Sequence, residues 1–435
     1  MTAGRPPRRA GFRSSQGRAR AEGPGGDMAR TARKLSLAGA AGMLAVTLAA
    51  CASGGGGGGA SGSGSGPIKI GGTLGLTGIL SASSQEYQAV YQDWAKQVNA
   101  SGGLLGRKVV MDIKNDNSTP STAQSEYQTL LTSDNVDLLL APYATFIGAP
   151  IVPMVKSAGK ILFNGGFVGK QYFQQADGWM VGTYTYQEPD YTRGLFEAIK
   201  GLPPSQRPTK VGILTNDNPF TLVARDGYQG QGGAIRYANQ DGLKVVFSQT
   251  YSATTTDFTA ALQRAQAQGV DMLVILGLPN DEDAIVKQAH VLGFTPKVMC
   301  TCGSQATTLP NWPQLGAATN GVIGTTVAWP NQHNPGMQTV VNFAKARGES
   351  VVPTYDFVAY ASLQVIQQAV EGAKTLNQQK LRAYIHSHTF KTVIGDIRYN
   401  ADGTTPFSEV ITQTVNGRQQ PVWPGSVATA KLTAP

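Results

Sequence analysis

Titratable and redox-active side chains are scarce in this chain. It has three cysteines and four histidines in 435 residues, and charged side chains make up only 14%. Three cysteines are too few for a disulfide framework. The histidines (His290, His333, His386 and His388) show no ligand spacing with Cys300 or Cys302, so a zinc-type site has no support. His386-Ser-His388 by itself reads as a solvated helix end. There is no G-x-S-x-G elbow and no G-x-x-x-x-G-K-[ST] loop. Gly71, Gly72, Gly75 and Gly78 do not spell G-x-G-x-x-G. No acid–base set can be assembled, so the chain reads as a non-enzyme with no metal and no cofactor. After residue 50 no apolar stretch is long enough to span a bilayer.

The net charge of +9 is also deceptive. Residues 1–50 hold nine Lys/Arg and two Asp/Glu, a net of +7, and the remainder holds 27 and 25, a net of +2. A near-neutral body gives no electrostatic case for binding nucleic acid.

The basic N-terminal charge has another use. Met28-Ala-Arg-Thr-Ala-Arg-Lys34 precedes 16 uncharged residues, 35–50, and small residues lead into Cys51. That order is a secretory signal peptide, and its apolar run is shorter than the ~20 residues of a spanning helix. "LAAC", ending at Cys51, resembles the lipobox of bacterial lipoproteins. The resemblance implies cleavage before Cys51, diacylglycerol on its sulfur, and a protein tethered to the outer face of the cytoplasmic membrane. Residues 1–27 are rich in Arg, Gly and Pro and read as a misassigned start ahead of Met28. "ASGGGGGGASGSGSGP" then forms a flexible linker, making 51–67 a lipidated tether.

The roughly 370 residues that remain exceed one hydrophobic core and predict two domains. Apolar runs alternate with amphipathic ones. "IKIGGTLGL" reads as a strand, and Tyr87, Val90, Tyr91, Trp94 and Val98 follow at helical spacing. "RKVVMDIKND", "VDLLLAP" and "KILFNGG" are further strands between helical stretches, and "VDLLLAP" has the continuous apolar character of a buried parallel strand. The plan repeats in "TKVGILTND", "LKVVFSQTY", "VDMLVILGL" and "PKVMCTC", where "NVDLLLAP" is echoed by "GVDMLVILG". "LVARDGYQGQGGAIRYANQ" is expected to be one helix. This βα alternation predicts an α/β fold with parallel sheets. Toward the C-terminus a strong helix, "YDFVAYASLQVIQQAVEGA", precedes strands with a turn at Asn416-Gly417. Cys300 and Cys302, at i and i+2 on a strand, are expected to be unbridged, because a bridge there needs a distorted backbone.

"LTG", a helix ending in "VNASGGLLGRKV", and then "NDNSTP" resemble the opening of the type I periplasmic binding proteins. More narrowly they resemble the leucine/isoleucine/valine-binding proteins of ABC transporters. The resemblance covers about 68–424. It implies two Rossmann-like lobes joined by a three-strand hinge, a Venus flytrap that closes on a ligand. The expected lobes are 68–186 with 331–387, and 187–330 with 388–425. The implied function is capture of a branched-chain or other amino acid, or a related organic carboxylate. The implied partners are that ligand, the permease subunits and, through the lipid, the membrane; the protein is expected to be a monomer. The alternatives are a sensor signalling to a partner protein and a binder of a neutral amide or aromatic acid.

Ligands in open parallel sheets bind beyond the strands' carboxyl ends, so the candidates are the residues just after strands. Ser83, with Ser84, follows the first. Tyr143, Ala144 and Thr145 follow "VDLLLAP", where the resemblance implies that a hydroxyl and backbone N–H groups hold a carboxylate; Thr145 is the principal candidate. Asn164, Gly165, Gly166 and Val168 follow "KILF", with Gly-Gly and Val in place of the family's hydroxyl residues. Tyr184 and Tyr186, near the first crossing, are expected to edge the cleft or to pack beside it. Phe220 matches a position that is commonly Tyr and stacks over the ligand. Asn280 follows "LVILG", while Asp281, Glu282 and Asp283 read as a charged helix start. Asp190 is expected to hold the hinge.

Overall fold

A computed structural model describes residues 66–434. Two sheets carry the fold. The first is built from β1 (Ile68–Leu74), β2 (Val109–Asn115), β3 (Leu138–Leu140), β4 (Leu162–Asn164) and β5 (Met180–Gly182), all parallel, in the order β2-β1-β3-β4-β5. The second contains β6 (Lys210–Asn216), β7 (Lys244–Tyr251), β8 (Met272–Leu276), β9 (Val298–Thr301) and β10 (Ile323–Thr326), ordered β7-β6-β8-β9-β10 and parallel. A separate antiparallel hairpin is formed by β11 (Thr389–Thr392) and β12 (Gly395–Arg398). The antiparallel pair β13 (Val410–Val415) and β14 (Arg418–Trp423) then extends the second sheet beyond β10.

The two parallel sets share one winding plan, in which the first strand lies between the second and the third. The echoed segments become β3 and β8, which occupy equivalent places. Both are wholly buried, which is why they carry no polar alternation. Gly71 and Gly72 let β1 lie close to its neighbours, since a Cβ on Gly72 would stand 2.8 Å from the Leu140 carbonyl oxygen. The Ser81–Ala100 helix buries Tyr87, Val90, Tyr91, Trp94 and Val98, the stripe predicted from spacing. Asn416 and Gly417, both with positive φ, turn β13 into β14.

The segment expected to be one helix over 222–240 is two, Pro219–Asp226 and Ala234–Gln240. Gly227, Gly230, Gly232 and Gly233 between them all have positive φ, a conformation that ends a helix. Gly232 packs against the Pro189 carbonyl so closely that a Cβ would stand 2.2 Å from its oxygen.

The chain crosses between the sheets three times, after β5, after β10 and after β12. The first and third crossings are tied by Gly182 N–H donating to Gly403 O (3.0 Å) and Ser408 N–H to Thr185 O (3.0 Å). The β11–β12 hairpin, expected with the second lobe from residue 388, instead sits on the Thr354–Ala373 helix, which packs on the first sheet's side. Gln368 donates to Lys391 O (2.8 Å) and accepts from Lys391 N–H (3.0 Å), and Gln364 accepts from Val393 N–H (2.7 Å). These amides satisfy hairpin backbone groups, and Phe390, Val393 and Ile397 are buried.

Cys300 and Cys302 form a disulfide, against the expectation of free thiols. β9 ends at Thr301, so Cys302 lies beyond the strand. Their Cα atoms are 5.4 Å apart, shorter than the ~6.6 Å span of two extended residues and within disulfide reach. Among the described residues no helix is long and apolar enough to cross a membrane.

Candidate functional site

The carboxyl ends of β3, β4 and β5 face those of β6, β8 and β9 across a narrow cleft with a cavity volume of about 30 Å³. From the first sheet's side come Tyr143, Ala144, Thr145, Phe146, Gly166, Phe167, Val168 and Tyr184. The second side supplies Asn218, Phe220, Leu278, Gly303, Ser304 and Gln305, and the first crossing adds Tyr191. Six of these residues are aromatic and none is charged.

A helical stretch opens at Thr145, so the first N–H groups there have no partner within the helix. Thr145 itself donates its hydroxyl proton to Val168 O (3.2 Å), joining the two loops of this wall. Gly166 is required by the same approach, since a Cβ would stand 2.0 Å from the Pro142 carbonyl oxygen. The loop after β4 is folded by Asn164, whose Oδ1 accepts from Gly166 and Phe167 N–H (3.1 and 3.0 Å) and whose Nδ2 donates to Phe167 O (3.0 Å).

The tyrosine hydroxyls form directed chains. Tyr355 donates to Ser304 O on the opposite side and so accepts from Tyr143, 3.0 Å away. Tyr87 donates to Gly165 O (2.5 Å) and so accepts from Tyr184 (3.3 Å). Hence Tyr143, Thr145 and Tyr184 have their protons engaged within the protein, and their oxygens can accept from a third group. Burial raises the Tyr143 and Tyr184 pKa values further, keeping both phenols neutral. Gln305 donates to Tyr191 (3.0 Å), which leaves the Tyr191 proton free. Tyr191 meets Phe220 edge-on at 4.7 Å.

Seven of the candidates named from sequence therefore come together: Tyr143, Ala144, Thr145, Gly166, Val168, Tyr184 and Phe220. Four do not line the cleft. Ser83 is buried and its hydroxyl makes no hydrogen bond. Asn164 shapes the loop from beneath. Gly165 faces the Thr354–Ala373 helix, where a Cβ would stand 2.6 Å from Ser362 Oγ. Asn280 is exposed on the first turn of the Pro279–Val291 helix. Asp190 accepts from Tyr237 (2.7 Å), away from the cleft lining.

The acidic run does open the Pro279–Val291 helix, with Asp281 accepting from Leu278 N–H (3.3 Å), but its carboxyl groups are engaged within the protein. Asp281 accepts from Asn216 (2.7 Å), Asp283 from Asn311 (2.5 Å), and Glu282 is fully buried. Glu282 accepts from Gly303 N–H (2.7 Å) and the Ser304 hydroxyl, both on the cleft wall. Burial pushes its carboxyl up to about 8, against the pull of these donors and of Gly277 N–H.

Sequence reasoning missed Phe146, Tyr191, Asn218, Leu278 and the wall 303–305. The rule that picked Tyr143–Thr145 after β3 applies equally to Gly303–Gln305 after β9.

Glu86, Glu349 and Asp356 bring three carboxylates within 4.8 Å, but Arg347 sits among them, with Nε 2.5 Å from Glu349, Nη2 3.5 Å from Glu86, and a contact to Asp356. A guanidinium already occupies the place a cation would take. His386 and His388 diverge, one bonding Gly178 O and the other stacking on Tyr384.

Residues 67–420 match the family model described as periplasmic binding protein. The chain belongs to that family. Its relatives include an amino acid binding protein of Pseudomonas aeruginosa, 23% identical over 77% of this chain and 86% of that one. Another is Leu/Ile/Val-binding protein homolog 7 of Brucella abortus, 20% identical over 85% and 94%. Among solved structures, the Streptococcus pneumoniae branched-chain amino acid binding protein LivJ, in complex with isoleucine, superposes with a TM-score of 0.70 at 20% identity, covering 85% of this periplasmic binding protein and 100% of LivJ. A solute-binding protein of R. palustris in complex with benzoate gives 0.72 at 14%, covering 85% and 99%.

Proposed function

We propose that this periplasmic binding protein captures an amino acid with an apolar or aromatic side chain and delivers it to an ABC permease. One observation carries the reading: an uncharged cleft of six aromatic rings that offers unpaired N–H groups at Thr145 and hydroxyl oxygens free to accept. The rings suit an apolar side chain. The N–H groups suit a carboxylate. The oxygens of Tyr143, Thr145 and Tyr184 suit a hydrogen-bond donor such as an ammonium, which the ring faces also attract. The ligand's carboxylate thus meets the backbone at Thr145, while the Thr145 hydroxyl faces the ligand as an acceptor. The naming of relatives for amino acids and for Leu/Ile/Val supports the same class.

A second reading is a neutral amide or aromatic acid. The lack of any charged lining residue favours it, and one structural relative holds benzoate. Calorimetry with leucine, phenylalanine, their des-amino analogues, benzoate and benzamide separates the two. The amino acids are expected to bind at least tenfold tighter than the des-amino acids; equal or reversed affinities refute the first reading.

Delivery requires a tether and a permease. Cys51, the signal segment and the linker up to residue 65 lie outside the described residues, and their role is part of the proposal: a lipid on Cys51 holding a monomer on the outer face of the cytoplasmic membrane. Intact mass of membrane-extracted protein tests it; an unmodified Cys51 or retained residues 48–50 would refute it. A permease gene beside this one supports transport, and a signalling gene in its place supports a sensor.

A further inference from the structure

Glu282 is absent from the cleft lining, yet it controls a residue that is present. Three donors converge on its buried carboxyl group: Gly303 N–H at 2.7 Å, Gly277 N–H at 3.4 Å and the Ser304 hydroxyl at 2.5 Å. The wall that carries Gly303 and Ser304 is held at other points as well. Cys302 N–H donates to Ile275 O (2.9 Å), Cys302 is bridged to Cys300, and Tyr355 donates to Ser304 O. A Cβ on Gly303 would stand 2.4 Å from Gly277 N, so the wall lies hard against the loop after β8. Gln305 adopts φ +54°, a left-handed conformation that such anchoring sustains.

A hydroxyl has one proton. Burial pushes the Glu282 carboxyl up to about 8; above that pH the ionised group only accepts and takes the Ser304 proton, and below it the neutral carboxyl has a proton of its own to give to Ser304. We propose that Glu282 is a positioning residue for ligand recognition: in its ionised form it fixes Ser304 as a hydrogen-bond acceptor toward the cleft and so selects a ligand that donates there, an amine over the corresponding oxo acid. The inference rests on the reading of this cleft as the ligand site. It adds a selecting group from the second side to the acceptors Tyr143, Thr145 and Tyr184 on the first.

Glu282→Gln is the test, because it keeps shape and reverses one role. The glutamine Oε1 still accepts from Gly303 N–H. Its Nε2 donates to Ser304, whose proton then turns to the cleft. Binding of leucine against 4-methyl-2-oxopentanoate, and of phenylalanine against phenylpyruvate, is measured by calorimetry at pH 9, above the value of about 8 to which burial pushes the carboxyl. The wild type is expected to prefer the amino member of a pair, and Glu282→Gln to shift that ratio at least tenfold toward the oxo member. An unchanged ratio in a variant that binds overturns the proposal alone. Binding of no pair by the wild type overturns the reading of the cleft, and this proposal with it. Should Glu282→Gln fail to fold, Ser304→Ala serves: the amino-over-oxo preference should fall about tenfold, and its persistence overturns the proposal.

Discussion

Glu188 offers a stability test with a calculable size. It opens the short turn Glu188–Asp190 in the first crossing, is 1% exposed, and neither carboxyl oxygen has a hydrogen-bond partner. Gly169 packs so near that a Cβ there would stand 2.8 Å from Oε1. Burial pushes the carboxyl from 4.5 up to about 7, opposed by nearby backbone N–H groups and Gln171. The folded protein therefore keeps this proton after the unfolded chain has released it. Stability contributed by the neutral group is complete below pH 4.5 and is lost as pH rises to 7. At ~1.4 kcal/mol per pH unit, the interval amounts to about 3 kcal/mol. Glu188→Gln removes the ionisation with little change of shape. Urea unfolding of both proteins at pH 4 and pH 8 measures it. The variant's stability relative to wild type should rise by up to about 3 kcal/mol between the two pH values, while groups titrating alike in both proteins cancel. A difference that stays constant with pH refutes the reasoning: Glu188 would then ionise in the folded state as it does in water.

Other perturbations follow from the same geometry. Gly166→Ala should push the Pro142–Thr145 backbone aside and lower ligand affinity more than tenfold by calorimetry, because the added Cβ meets a carbonyl oxygen at 2.0 Å. Phe220→Ala should cost about 1–2 kcal/mol of binding, roughly 5- to 30-fold in Kd, by removing one aromatic wall; the half-buried ring makes the effect on melting temperature the smaller one. Alkylation without reductant should leave Cys300 and Cys302 unlabelled. Replacing both by Ser should lower stability by about 1–2 kcal/mol in denaturant titration, since the loop closed is so short.

Much of this fold could be read directly. The buried stripe from Tyr87 to Val98 follows from helical spacing, and the Asn416-Gly417 turn from its demand for positive φ. The echo between β3 and β8 placed two sheets of one plan, and the positions after β3 and β4 supplied half of a cleft. All of these depend on local periodicity or backbone conformation, which a chain carries in its residue order.

Tertiary structure alone decided the rest. That β11 and β12 belong with the Thr354–Ala373 helix depends on which amides reach their backbone, here Gln364 and Gln368. The Cys300–Cys302 bridge depends on the chain leaving its strand at Thr301. Glu282 looks like a surface residue in "NDEDAIVKQ" because the Ser304 hydroxyl that meets its carboxyl lies 22 residues away. The direction in which each cleft hydroxyl gives its proton is set by partners as distant as Tyr143 and Tyr355, 212 residues apart. Residue order determines which hydroxyls exist. Only packing determines where their protons point, because a hydrogen bond depends on distance and angle between groups that the chain brings together last.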